Sequence, residues 1–165
     1  MLARMSLLSL ILMAAPGGAA SVQVSAQDPK VAIARVLDDF HDAASKADGA
    51  RYFALLSPDA VFLGTDAGER WTKEEFRAFA EPYFSRGKGW TYVAKERHID
   101  LAPGNAVAWF DEKLTNAKYG DCRGTGVLRQ IDGDWRIAQY NLTVPIPNDL
   151  AEKVVGMIRE HQAGK

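Results

Sequence analysis

The sequence predicts an α+β domain, with helices gathered at the front of the chain and an antiparallel sheet behind them. Three observations carry this. Apolar residues recur at helical spacing before Ser85. Four long stretches after Gly89 read as strands, and the turns between them are too short to hold crossover helices. A chain of 165 residues has room for one ordinary domain. Its 47% hydrophobic and 25% charged residues match a packed globular domain.

The first residues follow a different pattern. Arg4 supplies positive charge, Met5 to Ala15 is almost unbroken apolar sequence, and Pro16-Gly17-Gly18 ends it. Small residues follow at Gly18-Ala19-Ala20 and Val24-Ser25-Ala26. This is the order of a secretory signal, expected over residues 1–26, with cleavage after Ala26 or after Ala20. The expected localisation is therefore exported, periplasmic or secreted. The apolar stretch falls short of the roughly 20 residues that span a bilayer, so no stable membrane anchor is expected. An uncleaved anchor or a buried first helix is the competing reading. The single cysteine, Cys122, allows no internal disulfide and reads as a small packed residue. The mature domain, residues 27–165, must hold together by its core.

In order, Asp28 and Pro29 open a first helix in which Ile33, Val36, Leu37, Phe40 and Ala44 share a face, and Gly49 closes it. A short helix through Tyr52, Phe53 and Leu56 meets a turn signal at Ser57-Pro58-Asp59. Ala60 to Gly64 reads as a brief strand, and Glu69 to Trp71 as another. Thr72 and Glu75 form a capping box that opens a helix with a buried stripe of Phe76, Phe79, Ala80 and Tyr83. Strands follow over Trp90–Leu101, Ala106–Asn116, Asp121–Ile131 and Asp134–Val144, until Pro145 and Pro147 stop the last. Asp149 and Glu152 start a terminal helix with Leu150, Val154 and Ile158 on one face.

The run Phe40-His41-Asp42-Ala43-Ala44, then Ser57-Pro58-Asp59-Ala60-Val61-Phe62, then Trp71 ahead of a capped helix, and finally Asp132-Gly133-Asp134-Trp135-Arg136-Ile137 continuing to Pro145 resembles the nuclear transport factor 2-like superfamily, in particular its SnoaL-like branch. The resemblance spans nearly all of the mature chain. It implies a cone-shaped, curved antiparallel sheet wrapped around the N-terminal helices and enclosing a pocket, often with a homodimer formed through the sheet. It does not imply one activity, because this fold hosts isomerases, dehydratases, hydrolases and assembly domains. Steroid isomerases of the superfamily use a tyrosine, a protonated aspartate and an aspartate base at positions that fall here on Phe40, Gly126 and Gly64. None of these can donate a side-chain hydrogen bond or take a proton, so that activity is not inherited.

Charge sets the register of the sheet. A two-residue turn at Gly104-Asn105 pairs Arg97 with Glu112, His98 with Asp111 and Glu96 with Lys113, whereas a shift by two residues sets Glu96 against Asp111. One face then carries Ile99, Leu101, Ala108, Phe110 and Leu114, with Arg97 and Glu112 as its polar pair. Being the more apolar, this face is assigned to the pocket. The candidate pocket residues are Phe40, Arg97, Phe110, Glu112, Leu128 and Tyr140. Arg97–Glu112 reads as an acid–base pair or ligand clamp within an apolar cavity, or as a structural ion pair near the rim. His98–Asp111 has the makings of a general base but falls on the opposite face. His41 reads as an exposed helix residue or as a group near the pocket mouth. Trp109 and Trp135, assigned to outward faces, mark a surface for a homodimer.

The scattered His41, His98 and His161 give no metal spacing, and no cofactor motif is found. A net charge of −1 argues against a nucleic-acid partner. Asn141-Leu142-Thr143 fits a glycosylation sequon but lies within an expected strand, so it reads as structural. Three functions remain: binding of a small apolar or amphipathic ligand, a lyase, isomerase or hydrolase reaction using Arg97 and Glu112, or self-assembly without catalysis.

Overall fold

The computed structural model describes residues 28–164 of the chain. The proposed signal peptide lies outside the described residues. Helix α1 spans Pro29–Ser45, with the Asp28 side chain accepting from the Lys30 amide at its start. Proline suits this first position because its missing N–H would have had no helical partner. The helix buries Ile33, Leu37, Phe40, Ala43 and Ala44. Gly49 does not close it. Gly49 instead begins helix α2 (Gly49–Ala54), which Asp48 caps by accepting from the Arg51 amide.

Strand β1 covers Leu56–Leu63 and so includes the expected turn at Ser57-Pro58-Asp59. Pairing with the last strand is interrupted between Leu56 and Val61. The proline, which has no N–H to give, marks an irregularity within the strand rather than a chain reversal. Strand β2 (Arg70–Thr72) pairs back on β1, and helix α3 (Lys73–Phe84) follows at once. Its capping box is formed: Thr72 Oγ1 accepts from the Glu75 amide at 3.3 Å, and Glu75 Oε2 accepts from the Thr72 amide at 2.8 Å. The buried stripe is Phe76, Ala80 and Phe84. Phe79 and Tyr83, expected inside, stand on the adjacent, half-open side of the helix.

Strands β3 (Val93–Leu101), β4 (Val107–Asn116), β5 (Gly120–Ile131) and β6 (Asp134–Thr143) form the meander. The sheet order is β2-β1-β6-β5-β4-β3. It is mixed rather than antiparallel throughout, because β1 runs parallel to β6. Hydrophobic patterning reports which face of a strand is buried and carries no information on the direction of a distant neighbour. The charge-matched register is present: Arg97 opposite Glu112, His98 opposite Asp111 and Glu96 opposite Lys113. The loop is two residues longer than expected, closing at Ala102 and Val107 with Gly104 and Asn105 at positive φ.

Ala108, Phe110, Glu112 and Leu114 of β4 alternate inward, and Trp109, Asp111 and Lys113 alternate outward. In β6, Ala138 is an extra residue between the Ile137–Leu128 and Gln139–Val127 pairs. The inward positions therefore change from Trp135 and Ile137 to Tyr140 and Leu142. Trp135 is thus buried in the core, contrary to its outward assignment, and Trp109 remains the exposed tryptophan of the sheet. After a 3₁₀ turn at Asn148–Leu150, helix α4 (Ala151–Ala163) ends the described chain and buries none of its residues.

Candidate functional site

Between helix α3, the opening of the sheet and the segment that precedes β3 lies a cavity of about 250 Å³. Seven of its eleven lining residues are aromatic: Phe62, Trp71, Phe76, Phe79, Trp90, Tyr92 and Tyr119, joined by Gly64, Thr65, Glu69 and Leu142. Phe62, Trp71, Phe76 and Phe79 stack on one another, with Phe62 and Phe76 centroids 3.8 Å apart and Trp71 5.0 Å from Phe79. Trp90 was expected to start a strand. It crosses the base of the cavity instead, held by its amide donating to Ala44 O at 3.2 Å. Gly89 makes that approach possible, because a Cβ there would lie against the Ala44 carbonyl and 2.9 Å from that of Ser45.

A second compartment of about 20 Å³ lies deeper, walled by Phe40, His41, Ala44, Tyr52 and Tyr140. It shares Phe62, Trp90, Tyr92 and Leu142 with the outer cavity. That volume admits about one water or one hydroxyl group.

Behind Tyr140 sits Glu112, the one fully buried charged side chain among the described residues. Its Oε1 lies 2.6 Å from His41 Nε2 and accepts from the Tyr140 hydroxyl at 3.1 Å. Its Oε2 accepts from Arg97 Nε at 2.8 Å. Arg97 continues to helix α1, where Nη1 donates to Asp38 Oδ1 at 2.7 Å and to Ala34 O at 3.2 Å. Burial pushes the Glu112 carboxyl up. Hydrogen bonds from His41 and Arg97, together with the Arg97 charge, outweigh this and hold it below the usual carboxylate range. Burial, reinforced by the Glu112 charge, drives the Tyr140 phenol well above its usual value. The hydroxyl therefore stays protonated and donates.

Gly124 on β5 makes the cluster possible. A Cβ at this position would collide with the Tyr140 hydroxyl and come within 2.8 Å of Glu112 Oε1. Glycine is required here for space and not for an unusual backbone.

Of the six sequence candidates, Phe40 and Tyr140 line the inner compartment. Arg97 and Glu112 form the ion cluster behind it, while Phe110 and Leu128 pack in the core. None of these last four lines either chamber; Arg97 borders an open depression at the sheet edge with Lys30, His98 and Asp111. His98 Nε2 donates to Glu96 Oε1 at 2.9 Å rather than pairing with its cross-strand neighbour Asp111, and both partners are exposed. Asp42 does not orient His41, because it is taken by Lys46 and Arg51. Cys122 is buried, and burial together with Asp121 pushes its thiol up, which disfavours the thiolate a nucleophile needs. Among the described residues, no group of three His, Cys, Asp or Glu side chains could hold a metal ion.

His41, read from the sequence as an exposed helix residue or a group near the pocket mouth, is the site residue left out of the six candidates. A usable signal exists: His41 follows Leu37 by four positions and precedes Ala44 by three, which sets it on the buried side of α1. The cavity aromatics Trp71, Phe79 and Tyr119 carry no comparable signal, since rings at such spacing serve cores equally well.

A family profile described as "SnoaL-like domain" matches residues 33–147. The chain belongs to the SnoaL-like domain family. It is similar to a nuclear transport factor 2-like protein from Cytophaga hutchinsonii at 19% identity and TM-score 0.59, covering 72% of this chain and 99% of that one. It is similar to a proposed scytalone dehydratase from Novosphingobium aromaticivorans at 15% identity and TM-score 0.60, covering 71% and 84%. A proposed aromatic ring hydroxylase from the same organism matches at 15% identity and TM-score 0.60, covering 72% and 90%. At these identities the similarity extends to the fold alone. No curated protein matches the chain.

Proposed function

We propose that this protein is an exported binder of one small, flat apolar or amphipathic molecule, held in the aromatic cavity between α3 and the sheet. The observation that carries the reading is the cavity lining, seven aromatic side chains around about 250 Å³. The volume is just below the range that holds drug-sized ligands, so the ligand is no larger than a compact ring system. Stacked rings offer large apolar area with few rotatable bonds, which keeps the ordering cost of binding low. Trp71 and Trp90 line the cavity, so occupancy should quench their fluorescence. Native mass spectrometry of protein from its own host should show a retained small molecule. Absence of any retained mass, together with unchanged tryptophan emission across a panel of small aromatic compounds, would remove the proposal.

Export is part of the same proposal and rests on residues 1–26. N-terminal sequencing of protein from the native cell should begin at Gln27 or Ser21. Intact Met1 on the cytoplasmic species would refute it.

A further inference from the structure

Resting on the cavity reading above, the geometry points to a proton-transfer site at the inner end of the cavity: His41 is the proton acceptor for a ring-borne hydroxyl, phenolic or enolic, that enters hydroxyl-first.

The chemistry of Glu112 fixes the roles. An ionised carboxylate offers no proton, so the 2.6 Å contact requires that His41 Nε2 donate to Oε1. In a neutral imidazole the other nitrogen is then the acceptor. Among the described residues Nδ1 has no hydrogen-bond partner, and His41 lines the inner compartment. The groups facing His41 there are Tyr52 from α2, Tyr140 from β6, Tyr92 from the segment before β3 and Glu112 from β4, with Arg97 of β3 beyond it.

None of these others is a competing base. Burial drives the phenols of Tyr52 and Tyr140 far up and, with Cys122 and Tyr119, pushes that of Tyr92 to about 12. The oxygens of Glu112 are engaged by His41, Tyr140 and Arg97. The acidic neighbours on helix α1 are committed as well, Asp38 to Arg97 and Asp42 to Lys46 and Arg51. His41 is therefore the group left to accept a proton.

The two chambers match such a ligand in size. The outer one takes a ring, and the inner one of about 20 Å³ takes a single hydroxyl. On transfer, the ligand O–H bond breaks and its electron pair stays on oxygen. A new N–H bond forms at His41 Nδ1, and the imidazolium so produced meets the Glu112 carboxylate through Nε2–H. No co-reactant is required, and the proton returns by the reverse step.

The test uses 4-nitrophenol, which is coloured when ionised, and nitrobenzene, the same ring without the hydroxyl. Both should quench tryptophan fluorescence saturably. At a pH where free 4-nitrophenol is colourless, the bound phenol should develop the anion band. His41→Gln keeps an N–H donor for Glu112 but has no titratable nitrogen. It should lose the band, bind 4-nitrophenol about tenfold more weakly and bind nitrobenzene as before. An anion band that survives His41→Gln, or one that never forms on the bound wild type, overturns the assignment and leaves the cavity reading intact. Absence of quenching by either probe overturns the cavity reading and the assignment with it. Nitrogen-15 NMR of histidine-labelled wild type needs no variant: phenol binding should change the His41 ring from one protonated nitrogen to two, and an unchanged ring rejects the proposal.

Discussion

Two cross-strand ion pairs stand side by side on β3 and β4, one residue apart. Arg97–Glu112 points inward, with the carboxylate fully buried. Glu96–Lys113, at 2.5 Å, points outward and leaves both side chains about half exposed. Each pair joins a basic side chain to a glutamate across the same two strands, and contact lengths differ little. Outside, water solvates each charge separately, and fixing two long side chains offsets most of the attraction. Inside, each charge depends on the others, because no solvent replaces a missing partner. Glu112 accordingly gathers three donors from α1, β3 and β6, whereas Glu96 is met by Lys113 and His98. The side of the sheet, not the pairing, decides what an ion pair contributes.

The largest expected effect comes from breaking the inner pair. Glu112→Leu leaves Arg97 only its partners on α1 and removes the acceptor of His41 and Tyr140, and should cost about 3–5 kcal/mol in urea unfolding. A double-mutant cycle with Arg97→Met should give a coupling well above the additivity error of about 0.5 kcal/mol. A smaller coupling would mean that the inner pair behaves like the outer one.

Crowding the cluster without removing a charge should do less. Gly124→Ala forces a methyl group between Tyr140 and Glu112 and should cost about 1–3 kcal/mol, typical of overpacking. Unchanged stability would show that the Tyr140–Glu112 contact is dispensable.

Acid should distinguish the two pairs next. The Glu112 carboxyl is depressed in the fold, so its contribution is complete above the unfolded-state value of about 4.3 and is lost as pH falls through the lower folded value. The Glu96 carboxyl is also lowered, by hydrogen bonds from Lys113 and His98, but in open solvent. Glu112→Gln should flatten the loss of stability below about pH 4 more than Glu96→Gln does. Equal flattening would contradict the contrast. The smallest effect belongs to Lys113→Ala, for which thermal unfolding should not move resolvably. A clear fall in Tm would reveal support for the outer pair beyond these contacts.

Much of this arrangement is legible in the sequence. Opposite charges on Glu96, Arg97, Asp111, Glu112 and Lys113 select one register, and alternation places Phe110 and Glu112 on the same face. The box at Thr72 and Glu75 locates the start of α3 within one residue. Where reading failed, a non-local partner intervened. The extra residue Ala138 reverses the alternation of β6 and turns Trp135 inward, and no feature of the neighbouring sequence announces it. Phe79 and Tyr83 fit the stripe of α3 by spacing, but the rotation of a helix about its axis is set by what it packs against.

The candidate site divides along the same line. Sequence by itself determined the helices, the meander, the register of β3 on β4 and the pairing of Arg97 with Glu112, because these follow from local capping, periodicity and charge between adjacent strands. The tertiary structure alone decided that β1 lies parallel to β6 and that rings from β1, α3 and the segment before β3 enclose one cavity. It alone brought His41, 71 residues away in sequence, onto Glu112. The physical reason is one of range: capping and cross-strand charge act over a few ångströms between sequence or register neighbours. Which distant groups share a buried volume depends on how the whole sheet bends over its helices, and only the folded chain supplies that.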